Sequence, residues 1–120
     1  YGTTQAGGVY GEGTAFSITT GGDLTSLHSF GYGSDGSFSW APLLDVRGTL
    51  YGTTSGGGAY GKGTVFKMSL GGKEKVLHSF GYASDGATPV AGLIDVNGTL
   101  YGTTSAGGTY GDGTVFALKP

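Results

Sequence analysis

The stretch LYGTTSGGGAYGKGTVF, residues 50–66, decides how this chain is organised, because near-copies of it lie on both sides. The chain opens in YGTTQAGGVYGEGTAF, residues 1–16, and closes in LYGTTSAGGTYGDGTVF, residues 100–116. Self-similarity at a fixed spacing is the signature of one folding unit copied in tandem. The whole sequence is therefore interpreted unit by unit.

The spacing of these copies is 50 residues, from Tyr1 to Tyr51 and from Tyr51 to Tyr101. Residues 1–50 and 51–100 are identical at about 29 of 50 positions, far more than chance gives. The sequence predicts one repeat array over residues 1–120. Its units are residues 1–50, residues 51–100 and a partial unit, residues 101–120, or about 2.4 repeats.

The composition favours an all-β fold. The chain has 28 glycines, 8 tyrosines and 6 phenylalanines among 120 residues, and glycine opposes helix formation. The net charge of −2 provides no basic surface, so nucleic acid is not an expected partner. No apolar run is long enough to span a bilayer, so no membrane insertion is expected. The chain lacks cysteine, so neither a disulfide framework nor thiol chemistry is expected. It does not begin with methionine, and we expect it to be a piece of a longer protein.

Four short runs with strand character recur in each unit, at residues 92–96, 99–104, 64–69 and 75–80. Asn97-Gly98 joins the first two runs and is a strong hairpin signal, because both residues tolerate positive φ. Gly71-Gly72 joins the other two in the same way. Tight turns require antiparallel pairing, and alternation along residues 64–69 predicts that both faces of the sheet are partly buried.

Four antiparallel strands in 50 residues, with no helix between them, are typical of a β-propeller blade. The alternative is a β-solenoid or another β-array, although solenoid coils usually pair their strands in parallel. Propellers need at least about four blades, so about 2.4 units do not close a ring. Open blade faces and strand edges predict contacts with copies of the same chain, in a ring or a filament.

The motifs LYGTT, GGxYGxGTVF, VLHSF and SDGAxPxAGLIDVNGTLYGTT resemble the GloVer tandem repeat of bacterial surface and exported proteins. The resemblance covers essentially the whole chain. It implies a bacterial source, a location outside the cell or on its surface, and a propeller-like fold. It implies no established activity, and no catalytic or binding residue is carried over from it.

Other motifs give no sign of a cofactor, a metal or catalysis. The GGGAYGK of residues 56–62 resembles half of a phosphate-binding loop, but Gly63 stands where Ser or Thr is needed. His28 and His78 occupy the same repeat position, and hydrogen bonding is expected to explain them better than metal binding. The aspartates are expected to cap turns and to lie apart from other ligands: Asp35, Asp85, Asp45 and Asp95. We expect no enzyme, because catalysis usually needs a unique set of residues.

Exposed aromatic residues are the best candidates for binding. They lie in the Gly-rich loops and near the long connections: Tyr10, Tyr60, Tyr110, Tyr32, Tyr82 and Trp40. Aromatic rings on loops of a rigid scaffold can stack on sugars, and repetition strengthens a weak site. The competing interpretation is that each tyrosine is a structural plug whose hydroxyl fixes its loop.

The sequence thus predicts a non-enzymatic structural or adhesive module that assembles through contacts between its blades or strands. The alternative function is a multivalent, lectin-like propeller that binds glycans. The two differ in what the repeated loops do. In the first, the loops are architecture, and in the second they present ligand-binding tyrosines.

Overall fold

A computed structural model describes all 120 residues and contains ten strands and no helix. The strands are β1 (Gly2–Thr4), β2 (Thr14–Ile18), β3 (Leu24–Ser29), β4 (Leu44–Val46), β5 (Thr49–Thr54), β6 (Thr64–Ser69), β7 (Glu74–Ser79), β8 (Ile94–Val96), β9 (Thr99–Thr104) and β10 (Thr114–Leu118). The predicted all-β class is confirmed. No helix capable of crossing a membrane is present.

The strands form three antiparallel sheets in chain order. The first sheet is β1-β2-β3, the second is β4-β5-β6-β7 and the third is β8-β9-β10. Two predicted runs, residues 64–69 and 99–104, coincide with β6 and β9. The other two are displaced, since β7 begins one residue early at Glu74 and β8 begins only at Ile94.

The turn between β8 and β9 has the predicted chemistry. Asn97 and Gly98 both have positive φ, 53° and 83°. The Asp95 carboxylate accepts a hydrogen bond from the Gly98 N–H at 3.1 Å, and Asp45 accepts one from the Gly48 N–H at 2.8 Å. The turn-capping role expected for Asp45 and Asp95 is therefore confirmed.

The turn between β6 and β7 differs from the prediction. The Gly72 N–H donates to the Ser69 carbonyl at 3.0 Å, which puts Leu70 and Gly71 at the centre of the turn. Only Gly72 has positive φ, at 92°. Gly72 also lies so close to the Leu27 backbone of the first sheet that a Cβ there would collide with it. This turn therefore meets the neighbouring sheet as well as closing a hairpin.

The sheets stack face to face, and the contacts between them are the hydrophobic core. Phe66 and Met68, on one face of the second sheet, pack against Ala15 and Phe30 of the first unit. Val65, on the opposite face, packs with Phe80, Leu93 and Leu100 against the third sheet. Both faces of the second sheet are thus buried, because consecutive residues of a strand point to opposite sides.

An aromatic pair recurs at both contacts between sheets. The ring centroids of Phe30 and Phe66 are 5.2 Å apart across the first junction, which is the contact of the first sheet with the second. Those of Phe80 and Phe116 are 5.1 Å apart across the second junction, between the second sheet and the third. These separations lie in the favourable range for aromatic pairs.

Backbone hydrogen bonds tie the long connections to both neighbouring units. Phe38 donates its N–H to the Glu12 carbonyl at 2.8 Å, and its own carbonyl accepts from the Ser55 N–H at 3.0 Å. In the next unit Thr88 donates its N–H to the Lys62 carbonyl at 2.8 Å, and its carbonyl accepts from the Ser105 N–H at 3.1 Å. Phe38 and Thr88 have φ of 57° and 56°, which is costly for residues with a Cβ. That conformation persists because the surrounding bonds fix it from both sides.

Gly36 lets the first connection approach the second sheet. It lies against Thr54 and Thr64, whose hydroxyl oxygens are buried and hydrogen-bonded to each other at 2.7 Å. A Cβ at Gly36 would overlap the Thr54 hydroxyl, and its φ of 101° disfavours any side chain. Gly61 offers a matched control, since its φ is 71° but no atom lies within 4 Å of a Cβ built there.

We predict that Gly36→Ala destabilises the protein far more than Gly61→Ala. Both variants incur about 1 kcal/mol for a side chain at positive φ. Gly36→Ala adds the collision with the buried threonine pair, for a total of about 3 kcal/mol. Urea unfolding measures both changes. Equal losses of stability in the two variants would show that this connection does not approach the second sheet so closely.

Candidate functional site

The predicted aromatic candidates form pairs within each of the first two units. Tyr10 and Tyr32 have ring centroids 5.9 Å apart with an interplanar angle of 34°. Tyr60 and Tyr82 repeat this arrangement at 5.9 Å and 32°. All four rings are exposed, because they lie on loops outside the stacked sheets. The fold thus brings together residues 22 positions apart in each unit, counted from 10 to 32 and from 60 to 82.

Two of the six candidates do not join such a pair. Tyr110 is 90% exposed and stands alone. Trp40 is exposed and donates its Nε1–H to the Ser55 hydroxyl at 3.1 Å, without stacking on any tyrosine. No tyrosine hydroxyl is hydrogen-bonded to the protein, so the expected fixing of the loop by that group is not seen. Sugar binding at these residues stays a prediction.

The histidines make the hydrogen bonds that the sequence favours, but their partners are aspartates expected to lie apart. His28 Nε2 is 2.9 Å from Asp35 Oδ2, and His78 Nε2 is 2.8 Å from Asp85 Oδ2. The second oxygen of Asp35 accepts the Gly31 N–H at 3.0 Å. The expectation that Asp35 and Asp85 are isolated is therefore wrong, because the chain after β3 turns back on itself and returns Asp35 to the histidine.

Each imidazole also contacts the core of a junction. The ring of His28 meets Phe30 edge-on, with centroids 4.9 Å apart, and His78 meets Phe80 in the same way at 4.8 Å. Phe30 and Phe80 are the residues that pack across the two junctions. The aspartate fixes the imidazole, and the imidazole borders the phenylalanine. The pair is therefore part of the architecture at both junctions.

Glu74, at the start of β7, adds a third group at the first junction only. One ligand atom each from His28, Asp35 and Glu74 lies within 4.8 Å of the others. The Oε1 atom of Glu74 is buried and has no hydrogen-bond partner. Burial and, to a smaller extent, the nearby charge of Asp35 together raise the pKa of Glu74 from 4.5 to about 7.

Sequence analysis missed Glu74 as a site residue. The signal was a difference between the units, since Leu24 stands at the corresponding position of the first unit. That difference becomes informative only when the second sheet is known to face the first, because Glu74 reaches His28 across the junction. The three groups line an open depression that Tyr10 and Tyr32 also border.

We predict that Glu74 destabilises the folded protein as the pH rises from about 4.5 to about 7, in buffer containing a chelator. In that range the unfolded chain has lost the Glu74 proton and the folded protein retains it, so the free energy of unfolding falls with increasing pH. At pH 8 the free energy of unfolding of Glu74→Gln should exceed that of the wild type by about 1 kcal/mol, after allowance for solvent screening. At pH 4 the two should be nearly equal.

Urea unfolding of both proteins at the two pH values measures this difference. Comparing the variant with the wild type at each pH isolates the effect of residue 74, because the two proteins differ only there. A stability difference that is the same at pH 4 and pH 8 would contradict the raised pKa.

The Gloeobacter/Verrucomicrobia repeat family matches residues 1–120, the full length of the chain. No curated protein and no solved structure matches it. The family match agrees with the resemblance to the GloVer repeat drawn from LYGTT, VLHSF and the related motifs. The chain belongs to the Gloeobacter/Verrucomicrobia repeat family.

Proposed function

We propose that the chain is a non-enzymatic structural or adhesive repeat module of an exported bacterial protein, located outside the cell or on its surface. Its 50-residue units are β-propeller-like blades of four antiparallel strands, which stack on further copies of the repeat in a ring or a filament. The location rests on the resemblance to GloVer repeats. The antiparallel meander of β4 to β7 supports a blade over a solenoid coil.

The observation that carries this proposal is the open apolar face of the third sheet. Val65 in the second sheet is fully buried by the third sheet, whereas Val115, fifty residues later, is 81% exposed. Ile94 and Tyr101 lie on the same face as Val115 and are also exposed. A patch of this kind on a sheet marks an interaction surface.

The opposite end of the stack offers the complementary face. Phe16 and Ile18 lie on the face of the first sheet that points away from the second sheet. This face corresponds to the face of the second sheet through which Phe66 and Met68 contact the first sheet. Ile18 is 53% exposed. A head-to-tail contact of the two open faces would therefore repeat the chemistry of the existing junctions. Such a heterologous contact forms a ring if the rotation closes and a filament if it does not.

We predict that the purified chain forms particles several times heavier than its 11.9 kDa monomer. Val115→Lys should reduce the particle to the monomer mass, because it places a charge in the stacking face without disturbing a buried residue. Thr20→Lys adds the same charge at an exposed turn and should leave the mass unchanged. Light scattering gives the mass, and electron microscopy separates a ring from a filament.

A wild-type mass of 11.9 kDa at every concentration would contradict assembly through the open faces. So would a Val115→Lys particle as large as that of the wild type. An open fibre would favour the structural role, and a closed ring would favour a complete propeller.

The exposed tyrosine pairs favour a second candidate function, multivalent glycan binding. Two aromatic rings side by side, repeated in consecutive units, give a weak site the benefit of multivalency. The pair of Tyr60 and Tyr82 is the better test, because both of its neighbours along the stack are present.

If this second function is right, Tyr60→Ala should weaken glycan binding about fivefold, the loss expected from one stacking contact of about 1 kcal/mol. A glycan array followed by titration with the best ligand measures the change. Leu70→Ala, which removes an exposed apolar side chain from a turn outside both the loops and the open faces, is the control. Wild-type binding to no glycan, or equal loss in both variants, would exclude the tyrosine pairs as the site.

A further inference from the structure

Three potential metal ligands from two different sheets converge at the first junction. His28 comes from the end of β3, Asp35 from the connection that follows it, and Glu74 from the edge strand β7. The imidazole nitrogen and one oxygen from each carboxylate lie within 4.8 Å of one another. The fold of two units is needed to assemble this set.

The local charge balance is unfavourable without a cation. Two carboxylate oxygens lie within 4.8 Å of each other and of one imidazole nitrogen, and no lysine or arginine forms an ion pair with either carboxylate. Glu74 Oε1 is buried with no hydrogen-bond partner, which is costly for a carboxylate oxygen. The raised pKa of Glu74 has the same physical origin, since burial and Asp35 both disfavour its charge.

We propose that His28, Asp35 and Glu74 form a binding site for one divalent transition-metal ion of the zinc class. One imidazole nitrogen with two carboxylate oxygens suits zinc, whereas calcium and magnesium prefer oxygen ligands alone. Ligands of a common zinc ion lie about 3.3 Å apart, so His28 and Asp35 are already close enough. Glu74 joins them if its carboxylate oxygen moves inward by up to about 1.5 Å, the difference between the 4.8 Å limit and that spacing.

The site is also shaped to leave a coordination position open. The depression beside the three ligands is bordered by Tyr10 and Tyr32. Three protein ligands and one exchangeable position are the arrangement in which zinc retains a water molecule. The depression would leave room for a water molecule as the fourth ligand, next to the exposed tyrosine pair.

The second junction provides an internal control. His78 and Asp85 form the same pair, at 2.8 Å, and no third acidic group lies beside them among residues 1–120, since the position equivalent to Glu74 would be 124. Glu74 itself is replaced by Leu24 in the first unit. One ion per chain is therefore expected, bound between the first and second sheets. Because the ligands come from both sheets, metal binding should stabilise the folded chain by mass action.

The test is isothermal titration calorimetry of the full 120-residue chain with zinc chloride, after removal of metal by a chelator. One ion should bind per chain, and the midpoint of thermal unfolding should rise with it. Glu74→Gln should weaken binding at least tenfold. His78→Gln combined with Asp85→Asn, the matched control at the second junction, should bind zinc as the wild type does.

Glu74→Leu is a second loss-of-ligand variant, with the residue that the repeat already carries at position 24. Circular dichroism establishes that each variant is folded. The proposal would be overturned if the wild type bound no zinc at a zinc concentration of about 0.1 mM, which is on the order of the dissociation constants of weak adventitious sites. Binding retained by both Glu74 variants, or lost in the control at the second junction, would also overturn it.

Discussion

The packing of Phe30 on Phe66 is the interaction on which the rest of the structure depends. A sheet with an apolar face must bury that face against another element, so each of the three sheets needs a neighbour. The aromatic pair supplies that contact at the first junction, and Phe80 with Phe116 supplies it at the second. The histidine beside each first phenylalanine, held by its aspartate, keeps the edge of the junction in place.

Stacking also determines which features of a unit are architecture and which are free for function. Features present at both junctions, such as the histidine–aspartate pairs and the left-handed residues Phe38 and Thr88, hold one sheet to the next. Glu74 lies at the first junction with a buried oxygen and a raised pKa, which architecture alone does not require. The exposed loops and the open terminal faces are the remaining surfaces for partners.

Local chemistry explains what could be predicted from the sequence. The strand at residues 64–69 and the Asn97-Gly98 turn follow from alternation and from residues that tolerate positive φ, and both depend only on near neighbours in the chain. Asp35 could not be matched to His28 because the intervening loop had no pattern to show that it turns back. Glu74 was missed for a different reason, since its partners belong to another sheet. The individual tyrosines were predicted as candidate binding residues, but their pairing was not predicted.

Consecutive units stack sheet on sheet, and a nuclear Overhauser experiment on the phenylalanine rings tests this stacking directly. With selectively labelled protein, ring protons of Phe30 and Phe66 should show a cross-peak, because their centroids are 5.2 Å apart. Phe80 and Phe116, at 5.1 Å, should show another. A folded chain in which neither cross-peak appears would contradict the stacked arrangement.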